Sequence, residues 1–132
     1  MSSTFEFEKR EYVRIPVTLG VRYKFLSQVD IGVDLDHVHE GTSQNIGTGG
    51  IMLKAKLPDH AWLSNLLTHT MMVGVNVLIP SQENAVKALC RVAWSSAVSE
   101  GNFVMLGLLF QEIADEDRGA ITRYVIRVQM PN

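Results

Sequence analysis

Apolar and polar residues alternate almost without error from Val13 to Phe25. Val13, Ile15, Val17, Leu19, Val21, Tyr23 and Phe25 fall on one face, and Arg14, Pro16, Thr18, Gly20, Arg22 and Lys24 on the other. A period of two sustained over that length predicts one long half-buried strand. Pro16 cannot donate to a ladder, so it points to an edge position or a strand start. The same period returns at Ile51 to Leu57, at Val73 to Ile79, and at Val86 to Trp94, where Val86, Ala88, Cys90, Val92 and Trp94 share a face. Phe103 to Phe110 is apolar on both faces and reads as a more buried strand, entered from a Glu100-Gly101-Asn102 hairpin connection.

The tail changes period. Ile121, Tyr124, Val125 and Val128 recur at helical spacing after the acidic residues Asp115, Glu116 and Asp117, as expected of an amphipathic helix with its negative charge at the N-terminal end. Gly119 weakens that helix by about 1 kcal/mol relative to alanine. Several antiparallel strands followed by one helix predict a mainly β fold, a small antiparallel barrel covered by a C-terminal helix. Asp59 to His69 reads as a loop or short helix. Met1 to Glu8 reads as a flexible leader, and residues 9–132 as a single domain.

Between the first and second alternating stretches stands NIGTGGIML, Asn45 to Leu53, with Gly47, Gly49 and Gly50 close together. Such a cluster serves either a tight turn with positive φ or a place where backbone comes close to a ligand. Neither the P-loop spacing nor the dinucleotide fingerprint fits, because no Lys-Ser or Lys-Thr and no helical period follows. The glycines open a strand.

Composition narrows the function. The chain has 132 residues, 46% hydrophobic and 20% charged, enough for one domain with a real core. A net charge of -2 argues against bulk electrostatic binding to DNA, RNA or anionic lipid, which requires a broad basic face, so an anionic ligand must be held locally. Cys90 is the single cysteine and has no partner for an internal disulfide. No signal peptide or long apolar span is present, and a cytoplasmic protein without direct membrane insertion is expected.

Local anion chemistry stands just before the first strand. Arg10 and Arg14, with Lys9 beside them, can close on one phosphate, since a guanidinium fork matches phosphate oxygens and also stacks on a flat base. Guanine offers O6 and N7 to such a fork. Its N1–H and N2–H need an acceptor such as the Asn45 side-chain oxygen.

The order R-x-x-x-R, then [DN]-x-S-x-x-G, resembles the PilZ domain, a bacterial receptor module for cyclic di-GMP. Arg10 and Arg14 match the first motif, and Asn45 to Gly50 the second, with Gly47 at the serine position. The resemblance continues through Ala88 to Trp94, Leu106 to Phe110, Asp117-Arg118 and Arg123-Tyr124. It implies that Arg10 and Arg14 take phosphates and stack on guanine, that Asn45 contacts the guanine edge, and that Gly50 sharpens the turn. It further implies a non-catalytic protein without cofactor, whose Arg-rich leader becomes ordered over the nucleotide and so signals to a protein partner. Gly47 removes one hydroxyl, a loss of about 0.5–1.5 kcal/mol. A degenerate member serving only as a protein-interaction module is the alternative.

Other residues carry weaker chemistry. Asp34, Asp36, His37, His39 and Glu40 are possible metal ligands, but two histidines without a third defined ligand read as a polar loop joining the first two strands. Cys90 reads as core. No G-x-S-x-G setting and no paired carboxylates appear. Trp62, Leu63, Leu66 and Leu67 read as a cap on the barrel, with an exposed partner patch as the alternative.

Overall fold

The computed structural model describes residues 14–98 and 101–129. Seven strands are present among them: β1 (Arg14–Pro16), β2 (Gly20–Ser27), β3 (His39–Gly47), β4 (Gly50–Lys56), β5 (Met71–Val77), β6 (Val86–Ala97) and β7 (Phe103–Ile113). Two helices accompany them, α1 (Trp62–Leu67) and α2 (Asp115–Gln129). The strand order β1-β3-β2-β5-β6-β7-β4, with a further β3–β4 pairing, closes β2 to β7 into a six-stranded antiparallel barrel. β1 lies outside that ring as an extra strand on β3.

Alternation does what the sequence asks of it. Val21, Tyr23 and Phe25 of β2, Val73, Val75 and Val77 of β5, and Leu106 and Leu108 of β7 all point into the barrel and are buried. Tyr23 brings a hydroxyl with it. That group accepts the Lys56 backbone N–H at 2.8 Å and donates to the Lys56 carbonyl at 3.2 Å, so no polar atom of the tyrosine is left unpaired inside. At one end α2 packs against β1, β3 and β6 through Ala120, Ile121, Tyr124 and Val125. α1 brings the fully buried Leu66 to the barrel, and Trp62 meets Phe25 edge to face at 5.4 Å.

Four expectations change. The alternating run from Val13 to Phe25 is not one strand but two, parted at residues 17–19. Both halves pair with the same side of β3, β1 at Asn45 to Gly47 and β2 at His39 to Thr42. Ser43 spans the break: its buried hydroxyl accepts the Leu19 N–H at 2.9 Å and donates to the Val17 carbonyl at 2.6 Å. Trp94 leaves the face of Val92, because the ladder shifts between these two residues, and it emerges 39% exposed. On β7 the face away from the core is only half covered, with Phe103 exposed. Val128 stands outside the packed face of α2, since the last turn runs beyond the barrel.

Ser43 yields a direct prediction. Ser43→Ala strands one buried donor and one buried acceptor, and should lower stability by about 2 kcal/mol. Urea denaturation would show a lower midpoint at an unchanged slope. A wild-type midpoint would mean that the break is not held by this hydroxyl.

Candidate functional site

The glycine stretch is a hairpin. Asn45 to Gly47 end β3, Gly50 opens β4, and Ile46 faces Ile51 across the turn. Of the two uses open to the cluster, positive φ is not the one realised: among the described glycines only Gly32 and Gly101 have it. Close approach is. A Cβ on Gly50 would lie 2.1 Å from the Leu108 carbonyl oxygen and 3.0 Å from an Nη of Arg14. Only a hydrogen fits between the β7 backbone and the arginine.

Arg14 and Asn45 therefore meet on one face. β1 pairs Arg14 with Gly47, Ile15 with Ile46 and Pro16 with Asn45. Ile15 and Ile46 are buried, so the residues on either side of them point outward. Asn45 owes its direction to a register shift between Ser43 and Asn45, with Gln44 as the additional residue. Without that bulge Asn45 would share the inward parity of Ser43. Its Nδ2 lies 4.0 Å from the Met52 sulfur, and its Oδ1 is buried with no hydrogen-bond partner among the described residues. A buried acceptor left unpaired is costly, and it is the atom that a donor from outside would satisfy.

The outer face continues across the wall. Asn45 neighbours Met52, Met52 neighbours Gly107, and Gly107 neighbours Trp94. A Cβ on Gly107 would sit 2.1 Å from the Trp94 Nε1 and 2.3 Å from its Cε2, so the indole lies across the bare glycine backbone. The indole is a flat aromatic surface on the same outer face as Asn45, two strands away with Met52 between them. Neither Trp94 nor Met52 was singled out from the sequence as a site residue. The one available signal was the glycine opposite an aromatic on the neighbouring strand, which needs the register to be known.

Of the residues expected to hold a ligand, Arg14, Asn45, Gly47 and Gly50 come together here. Lys9 and Arg10 lie outside the described residues. The acidic loop does not assemble a comparable centre. His37 and His39 meet edge to face at 4.5 Å, and His39 stacks on Tyr23 at 5.1 Å. Burial, and then the neighbouring His37, hold the His39 pKa below its ordinary value. Among the described residues no group of three or more metal-ligating side chains converges. Cys90 is buried, and burial pushes its thiol up to about 12, which removes it as a nucleophile at neutral pH. No helix among the described residues is long and apolar enough to cross a membrane.

A groove of about 890 Å³ opens elsewhere on the barrel, lined by Arg22, Lys24, Gly74, Leu89 and Arg118 among others. It lacks the orphaned acceptor and the residues of the two motifs.

Comparison with known proteins bears on the whole barrel. Among solved structures, the Bacillus subtilis inhibitor of motility (MotI/DgrA) superposes with a TM-score of 0.65 at 21% identity, over 92% of this chain and 51% of that one. The PilZ domain of Escherichia coli YcgR with c-di-GMP gives 0.55 at 12% identity, covering 92% of each chain. The Borreliella burgdorferi PlzA protein in complex with c-di-GMP gives 0.54 at 14% identity, over 99% of this chain and 59% of that one. At these identities the likeness is one of fold, and the chain spans about half the length of MotI/DgrA. No curated protein sequence matches. The PilZ domain family profile, however, covers residues 8–127, both arginines and the glycine hairpin included, and the chain belongs to that family.

Proposed function

We propose that this PilZ domain is a non-catalytic cytoplasmic receptor for cyclic di-GMP. The observation that carries the reading is the buried Oδ1 of Asn45, unpaired among the described residues, on the face that Arg14 overhangs. Guanine N1–H and N2–H are donors of the kind that atom lacks, and the Trp94 indole offers a π-face farther along the same wall, over Gly107. The Arg14 guanidinium supplies a fork for a phosphate or for the guanine O6 and N7. Lys9 and Arg10 would add charge from the leader, and ordering of that leader would present a new surface to a protein partner. PlzA and the YcgR PilZ domain, both solved with c-di-GMP, are consistent with this assignment.

The test is a calorimetric titration with cyclic di-GMP, GTP alongside. Selective binding is expected. Asn45→Ala should weaken it by about fivefold to tenfold, the effect of one hydrogen bond. No binding at high ligand concentration, confirmed by a second method, would sink the receptor reading. It would favour the alternative that Gly47 supports, a protein-interaction module that has given up nucleotide along with the serine hydroxyl.

A further inference from the structure

The turn between β3 and β4 supports itself poorly. Glycine loses more conformational freedom on ordering than any other residue, so a turn built from Gly47, Gly49 and Gly50 needs fastening from outside. Two of its carbonyls are fastened. The Phe110 N–H of β7 donates to the Gly49 carbonyl at 3.0 Å. Arg118, near the start of α2, donates Nη1 to the Thr48 carbonyl at 2.5 Å in a partly buried contact that spans 70 residues of sequence. The second bond carries a full charge and is the stronger kind. Next to it, the Asp117 carboxylate accepts the Lys87 N–H at 3.3 Å, which ties the same turn of helix to β6. The start of α2 thus grips two parts of the wall at once.

We propose that Arg118 is a positioning residue of the nucleotide site: it fixes the glycine turn, and with it the end of β3 that presents Asn45, and it couples occupancy of the site to α2. For its ligand this inference rests on the receptor reading; for the clamp it does not. Coupling of this kind is reciprocal. A nucleotide that tightens the turn also tightens the first turn of α2, which borders the 890 Å³ groove. The bound state would then be felt on a face of the barrel that the nucleotide does not touch.

Wild type, Arg118→Met and Arg118→Lys are compared by hydrogen exchange and by titration with cyclic di-GMP. Without nucleotide, amides in the segment 47–50 should exchange about tenfold faster in Arg118→Met, as expected when a charge-assisted bond is lost. Arg118→Lys, which keeps one cationic donor, should recover part of that protection. Affinity should fall about tenfold in Arg118→Met, and in an Asn45→Ala background the further loss should shrink to about twofold or less. In the wild type, added nucleotide should slow exchange in the first turn of α2. General destabilisation would instead leave the two losses multiplying. Unchanged exchange at 47–50 overturns the clamp, and multiplying losses overturn its role in presenting Asn45. Unchanged exchange in α2 on saturation overturns the coupling. A wild-type chain that binds no cyclic di-GMP overturns the receptor reading and the ligand role of Arg118 with it, while the exchange rates still decide the clamp.

Discussion

Gly50→Ala should be less stable than the wild type by about 3 kcal/mol, at the upper end of what overpacking a tight site costs, and should have lost its binding of cyclic di-GMP at temperatures where it is still folded. The added methyl would meet the Leu108 carbonyl oxygen at 2.1 Å, and that atom belongs to backbone engaged in the β4–β7 ladder. No rotamer change relieves the contact. β4 has to move away from β7, and the turn that carries the site moves with it. The same methyl crowds the Arg14 guanidinium at 3.0 Å, so the arginine has to shift by a few tenths of an ångström over the hairpin. Denaturant midpoints measure the first effect, and titration well below the melting point measures the second. A variant as stable as the wild type would show that the close approach at Gly50 is not a constraint on the fold.

The second large effect is on affinity alone. Arg14→Ala should weaken cyclic di-GMP binding by roughly 10- to 100-fold, the range expected for a charge-assisted contact to a phosphate or base edge. Stability should move by no more than about 0.5 kcal/mol, because this side chain lies outside the core and makes no ion pair among the described residues. Arg14→Lys should fall between the two, since an ammonium keeps the charge but loses the planar fork. Calorimetry across the three proteins checks the ranking. Equal affinities in wild type and Arg14→Ala would remove Arg14 from the site and leave the receptor reading without its chief cation.

What was legible in the sequence divides along a physical line. Strands whose inward positions are apolar, such as Val21-Tyr23-Phe25 and Val73-Val75-Val77, announce themselves by period. β3 does not, because its inward positions include Gly41 and Ser43, and the bulge at Gln44 then reverses parity. The break at 17–19 depends on a hydroxyl supplied from Ser43, a contact invisible to any local window. Trp94 misleads for a related reason: one additional residue at Ala93 turns it out of the core face and onto Gly107. Within the site, Arg14, Asn45 and Gly50 lie in short motifs and could be named in advance. Met52, Trp94 and Arg118 reach it only through strand pairing and the return of the C-terminal helix, so their roles wait on tertiary structure.

The closed wall also limits how other chains can approach. Sheets with open edges invite extended peptides to continue the ladder, which serves some recognition domains and exposes others to aggregation. In this barrel β2 to β7 each have neighbours on both sides, and β1 ends the strand order with three residues, one of them Pro16, which has no N–H to offer. Within the ring, vacant backbone is confined to parts of strands, such as Arg91 to Ala97 of β6, which pair with β7 alone, and Lys24 to Ser27 of β2, which pair with β5 alone. A visiting strand would find short stretches there and never a whole open edge, and to that extent the closure protects the fold from edge-to-edge association.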